Sequence, residues 1–136
     1  RDAVGLRALR VPFGVRWDVT QVDADASTRF GPARARRFDG VSGAVGLTMP
    51  LARGLSLGAN LARAVRAPAA EELYSEAGHA GTGAFEVGDA NLRTERTTGA
   101  DVVLRLQRAR VTAQVAGYRN AVGGWIGLYP TGRDTI

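Results

Sequence analysis

Apolar and polar positions alternate with a period of two over three stretches of the chain, and less cleanly over two more. From Val41 to Met49, Val41, Val45, Leu47 and Met49 share one face, with Gly43 as a gap; Ser42, Ala44, Gly46 and Thr48 share the other. From Leu55 to Leu61, Leu55, Leu57, Ala59 and Leu61 alternate with Ser56, Gly58, Asn60 and Ala62. Such alternation predicts strands with one apolar and one small or polar face. Pro50-Leu51-Ala52-Arg53-Gly54 separates the two runs, so they form a hairpin. A second hairpin follows: Ala100, Val102, Leu104 and Leu106 alternate with Gly99, Asp101, Val103 and Arg105. A polar turn, Gln107 to Arg110, leads to Val111, Ala113 and Val115, which alternate with Thr112, Gln114 and Ala116. Val15, Trp17 and Val19, set between Arg16, Asp18 and Thr20, predict a fifth, shorter strand. Gly, Thr and Val recur where a helix would favour Ala, Leu and Glu, so the expected class is all-β and antiparallel.

The connections alternate in length. Pro50 to Gly54 and Gln107 to Arg110 are short, whereas Asp23 to Arg37 and Arg66 to Thr94 are long. Long connections without structure of their own are uncommon in a compact domain. Tight turns at one side and long loops at the other fit an outer-membrane β-barrel. Leu55 to Val65 has the ~9–11 residues that a tilted transmembrane strand needs. The polar face, with Arg16, Asp18, Thr48, Asn60, Asp101, Arg105 and Gln114, suits a wetted lumen better than a dry core. Periodicity alone leaves a soluble β-sandwich open, because that fold also wets one face and buries the other.

Composition narrows the function. The 136 residues carry 45% apolar residues, enough to exclude a disordered chain. No run of ~18 apolar residues is present, so no helix spans a membrane; strands remain open to that role. Cysteine is absent, which removes disulfides, thiolate metal sites and cysteine nucleophiles. The basic residues are all arginine and give a net charge of +5. They are scattered apart from Arg34, Arg36 and Arg37, and no aromatic platform accompanies that run, so nucleic acid is not an expected partner. A solvated or lipopolysaccharide-facing place suits the run better. One histidine, no Gly-x-Ser-x-Gly elbow and no phosphate-binding glycine loop argue against an enzyme. Neither Arg1 nor the closing Gly132-Arg133-Asp134-Thr135-Ile136 reads as a natural terminus, and no signal peptide is visible, so an internal piece of a longer protein is expected.

The stretch Arg63 to Asp101 carries a resemblance. It contains Arg63, then Arg66-Ala-Pro68 and Glu71-Glu72-Leu73-Tyr74, followed by Gly78-His79, Thr82, Phe85-Glu86-Val87-Gly88-Asp89 and Asn91-Leu92-Arg93-Thr94-Glu95. This resembles the TonB-dependent outer-membrane receptors, with Arg-Ala-Pro…Glu-Leu-Tyr at a strand end. It is most similar to the subgroup with a Gly-His…Phe-Glu-x-Gly loop, which includes receptors linked to zinc or haem uptake. Tyr118-Arg119-Asn120, Trp125-Ile126 and Tyr129-Pro130-Thr131-Gly132 look like the family's next strand and loop. The resemblance extends from about Phe38 to Gly132, and it departs from the pattern at Arg93-Thr94-Glu95, where the family often has Lys-Pro-Glu.

The resemblance implies a ~22-stranded barrel closed by a plug, to which residues 1–136 contribute roughly four to five strands. The plug, the signal peptide and the terminal strands would lie outside this chain. It also implies the outer membrane of a Gram-negative bacterium, lipid and lipopolysaccharide as surroundings, and a TonB energy-coupling complex that acts through the plug. The transported ligand would be a scarce nutrient such as a metal ion or metal chelate. A passive porin and a soluble adhesin module are the alternatives.

The Arg66–Thr94 loop, about 66–94 and expected to be extracellular, carries five carboxylates against Arg66 and Arg93, whereas the rest of the chain holds the basic excess. His79 with Glu76, Glu86 and Asp89 could collect a borderline cation such as Zn²⁺. Their spacing matches no recognised metal motif, and packing of His79 within the loop is the stronger expectation. Pro68 followed by Glu71 and Glu72 predicts a short helix at the loop's base. Leu73 and Tyr74 are expected to pin that helix to the rim, and Trp17, Trp125 and Tyr129 to sit in an interfacial girdle.

Overall fold

The computed structural model describes residues 9–79 and 84–130. Five long strands form one sheet: β1 (Phe13–Ala24), β2 (Arg34–Ala52), β3 (Leu55–Arg66), β6 (Glu95–Arg108) and β7 (Val111–Gly123), in the spatial order β1-β2-β3-β6-β7. Between β3 and β6 the chain makes a five-residue helix, α1 (Ala70–Tyr74), and a two-stranded ribbon of β4 (Glu76–His79) and β5 (Ala84–Val87). At about 3.3 Å per residue, a 12-residue strand tilted by about 45° rises close to 28 Å, which matches the hydrocarbon core of a membrane.

The alternation read from the sequence is realised in the ladder between β2 and β3. Val45 pairs with Leu61, Leu47 with Ala59 and Met49 with Leu57, so apolar positions meet on one face. Gly46 pairs with Asn60 and Thr48 with Gly58 on the other. Asn60 Nδ2 donates to Asp101 Oδ1 at 3.3 Å, and Arg105 donates from Nε and Nη2 to Gln114 Oε1 at 3.2 and 3.0 Å. Polar side chains thus link β3 to β6 and β6 to β7.

Strand limits differ from those expected. β1 runs to Ala24 and β2 starts at Arg34, so the first long connection is 25–33 instead of Asp23 to Arg37. Arg34 to Asp39 is too charged to show apolar alternation, yet its backbone continues the ladder. Pro50-Leu51-Ala52 also belongs to β2, with a register shift between Pro50 and Ala52, leaving Arg53-Gly54 as the turn. A shift accommodates proline because the ladder locally loses its regular hydrogen bonding there. Gly54 has φ of 73°, and a Cβ there would collide with Gln107 O. Glycine is therefore required both by the turn and by the neighbouring hairpin. The second turn is Ala109-Arg110, and Tyr118-Arg119-Asn120 continues β7 instead of opening another strand.

The chain divides into two compact units. One takes in the chain up to Arg16 with Val41–Ala64 and Thr97–Val122; the other takes in Trp17–Gly40, Val65–Arg96 and the chain from Gly123 on. The first unit holds both tight turns, and its apolar side chains are largely exposed, among them Val15, Val45, Leu61, Val102 and Val115. The second holds both long connections. Among the described residues, the buried hydrophobic side chains are Val22, Phe38 and Leu73, all in this second unit. An alternating apolar face left uncovered, with a small core only where the long loop folds back, is the reverse of a water-soluble domain.

Candidate functional site

The second unit is organised around α1. Pro68 is fully buried just before the helix, Ala69 takes the extended N-cap conformation, and Glu71 and Glu72 occupy the first turn, where carboxylates favour the positive end of the helix. Ala69 has no side-chain acceptor; instead its own N–H donates to Glu72 Oε2 at 2.8 Å. Leu73, 0% exposed, packs with Val22 of β1 and Phe38 of β2, and Ala67, Tyr74 and Leu92 close around them. Tyr74 meets Phe30 edge to face, with ring centroids 5.7 Å apart.

The returning half of the loop seals against the helix. Gly88 passes so close that a Cβ would lie 2.5 Å from both Leu73 C and Tyr74 N. Gly88 N donates to Ser75 O at 2.8 Å and Asp89 N to Glu72 O at 2.9 Å. Asp89 Oδ1 accepts from Asn91 N at 2.8 Å, which turns the chain toward β6.

Arg66, at the end of β3, ties this together electrostatically. Its Nη1 lies 3.0 and 2.9 Å from the two Glu72 oxygens, and its Nη2 is 3.6 Å from Glu95 Oε2. Glu95 Oε2 also accepts from Ile126 N at 2.9 Å. Partial burial pushes the Glu72 carboxyl up, but the hydrogen bonds from Arg66 and from Ala69 N–H, with the Arg66 charge, outweigh it and hold Glu72 below the ordinary carboxylate range. The Arg66–Glu72 pair is partly exposed and contributes of order 1 kcal/mol or less by itself. The packing of Leu73 holds the helix more strongly than this ion pair does.

The motif positions therefore separate by place. Arg66, Pro68, Glu72, Leu73, Tyr74, Gly88, Leu92 and Glu95 form one anchor that fastens the loop to the strand ends. Arg63 lies outside it, opposite Gly43 in the β2–β3 ladder, and Gly78 pairs with Phe85 in the ribbon. Of the metal candidates, Glu76 pairs with Val87 and Glu86 with Ala77, which sends the two carboxylates to opposite faces of the ribbon. Asp89 is engaged in its turn, and the side chain of His79 lies outside the described residues. No group of three or more His, Cys, Asp or Glu side chains is placed to hold a metal ion among the described residues.

Three features were not foreseen from the sequence. The first is the link from Glu95 to Ile126. The second is an open cleft of about 280 Å³ between the 25–33 connection and α1, lined by Asp23, Asp25, Glu71, Arg34, Phe30 and Tyr74 among others. The third is the use of the arginine run: Arg34 donates to Phe30 O, while Arg36 donates to Ala90 O and lies 4.7 Å over the Phe38 ring. Arg34 and Arg36 thus serve local structure instead of standing free in solvent. Arg-x-Arg-Arg-Phe is the only sequence signal for this, and its partners lie up to 54 positions away.

A family model described as TonB dependent receptor-like, beta-barrel matches residues 2–136. The chain belongs to that family. The sheet is accordingly part of a transmembrane β-barrel, and the tight turns and long loops are the two kinds of connection such barrels use. The solved structure of the copper transporter OprC is similar, with a TM-score of 0.65 at 25% sequence identity. That similarity covers 87% of this chain, which spans about a fifth (20%) of that transporter's length. Among curated proteins none matches the chain.

Proposed function

We infer that this chain is part of an outer-membrane receptor of a Gram-negative bacterium that imports a metal ion or metal chelate, with passage driven by the TonB energy-coupling complex acting through a plug. The observation that carries the reading is membership of the TonB-dependent receptor barrel family together with likeness to a copper transporter. The mechanism is binding and gated passage; no bond is made or broken in the cargo. Residues 67–79 and 84–94 face the outside and meet the ligand, while the polar face bearing Asn60, Asp101, Arg105 and Gln114 lines the lumen. Outer-membrane lipid covers the opposite face, and lipopolysaccharide surrounds the rim.

Three carboxylates against one arginine in the cleft favour accumulation of a cation at the rim. With no three-ligand set among the described residues, a hydrated or chelated metal suits this chain better than a bare ion it must coordinate alone. Zinc and haem-type cargo, suggested by the Gly78-His79 to Gly88 pattern, and copper, suggested by the solved relative, are the first candidates. His79 is the residue to test first if a bare ion is taken.

Accumulation of radioactive copper and zinc, free and chelated, by cells carrying the intact receptor tests this reading. Uptake of one of these several-fold above cells lacking the receptor, lost when TonB is deleted, is expected. Entry that persists without TonB would mean a passive pore, and no entry of any tested form would remove metal as the cargo. A His79→Ala variant with unchanged affinity for the accepted metal would remove His79 as a ligand, since loss of a true ligand weakens binding substantially.

A further inference from the structure

Two separate connections of the second unit meet at one carboxylate oxygen. Glu95 Oε2 accepts the Ile126 N–H at 2.9 Å, and the same atom lies 3.6 Å from Arg66 Nη2. Arg66 in turn grips Glu72 of α1 through both carboxylate oxygens. The Glu95 side chain is 16% exposed, much less than the 45% of Arg66, so water competes little for it. Ile126, just beyond β7, gives its backbone N–H to this side chain and not to a ladder partner. We propose that Glu95 is a positioning residue that couples α1 and residues 84–94 to the segment 124–130, so that they order and open as one body.

Glu95 Oε2 is shared by both partners. A largely buried acceptor that serves a cation and an N–H is oriented by both, and removing one partner leaves the carboxylate free to rotate. Rotation weakens the bond to Ile126. A ligand that displaces α1 would withdraw Glu72, shift Arg66 and so loosen 124–130, which joins two surface segments without any contact between ligand and the second. This holds whatever the cargo is, because it requires only the loop anchor; failure of the uptake reading would leave it standing.

Amide hydrogen exchange of the intact receptor in detergent or lipid tests it. In Arg66→Gln, exchange at Ile126 and its neighbours is expected to rise on the order of tenfold, together with that of 67–94. In Glu95→Gln, which keeps an oxygen for Ile126 N–H but loses the ion pair, the rise in 67–94 is expected with a smaller rise at 124–130. Faster exchange of 67–94 alone in Arg66→Gln, with 124–130 at the wild-type rate, would overturn the coupling. If Arg66→Gln fails to insert as a heat-resistant folded barrel, Glu72→Gln provides the same reading: it must raise exchange at 124–130, and wild-type rates there would equally overturn the proposal.

Discussion

Leu73→Ala is expected to release the 67–94 loop while leaving the long strands in place. Leu73 is the fully buried centre of the small core that includes Val22 and Phe38, and truncating such a leucine costs about 2–5 kcal/mol through lost burial and the cavity left behind. A loop anchor has less stability to lose than a whole barrel, so this amount moves it from mostly closed to mostly open. Limited proteolysis of the folded receptor should then cut within 67–94 at least about ten times faster than in wild type, a conservative figure for a loss of that size. Gly88→Val should do the same by the opposite route, since its side chain would enter the backbone of Leu73 and Tyr74. Wild-type cleavage rates in both variants would mean that Leu73 does not hold the loop.

The second large effect lies on the sheet. Val45 and Ala44 are neighbours near the middle of β2 and project to opposite faces, with Val45 paired to Leu61 and Ala44 to Ala62. Val45→Arg places a charge against lipid and is expected to cost about 2–4 kcal/mol near the bilayer midplane. Ala44→Arg, at the same depth but toward the lumen, is expected to cost much less. Equilibrium unfolding of the receptor from lipid vesicles measures both. Equal costs for the two variants would contradict the assignment of the apolar face to lipid.

How far the sequence carries the structure can be seen at particular residues. That Val45, Leu47 and Met49 share a face and form a hairpin with Leu55 to Leu61 was legible because period-two alternation survives wherever one face meets a single solvent along the strand, whereas the register, set by the Arg53-Gly54 turn, was not. It fades at Arg34 to Asp39, where charged side chains at 34, 36, 37 and 39 leave Phe38 as the one large apolar position and no alternation shows; hence β2 is longer than expected. The short helix was legible from Pro68, Glu71 and Glu72, whose preferences are local. Its packing was not: Val22, Phe38 and Leu73 come from three distant segments, and Val22 sits among polar neighbours that conceal its burial.

The site was legible as a motif and not as a geometry. Arg66, Glu72, Gly88 and Glu95 stand out through the family resemblance, yet their convergence depends on the pairing of β3 with β6, which brings Arg66 beside Glu95 across 28 intervening positions. Charge counting drew attention to Glu76, Glu86 and Asp89 as cation ligands. Strand register then separates Glu76 from Glu86, and Asp89 is used by its own turn, both of which follow from backbone pairing that composition does not encode. Asp23 and Asp25 lie in a different connection and join Glu71 only in space, so charge along the chain does not single them out.

The absence of cysteine makes the central claim directly measurable. Single cysteines placed in this chain within the full-length protein, with any other cysteine removed, can be labelled in whole cells by a membrane-impermeant maleimide. Positions in 25–33 and 67–78 should react in intact cells, and Arg53 and Arg110 should react only after the outer membrane is opened. Val102 and Leu104 should stay protected while Asp101 and Arg105 react from the aqueous lumen. Uniform labelling of all these positions, with no difference between intact and opened cells, would contradict a membrane-spanning barrel and return the chain to a soluble β-protein.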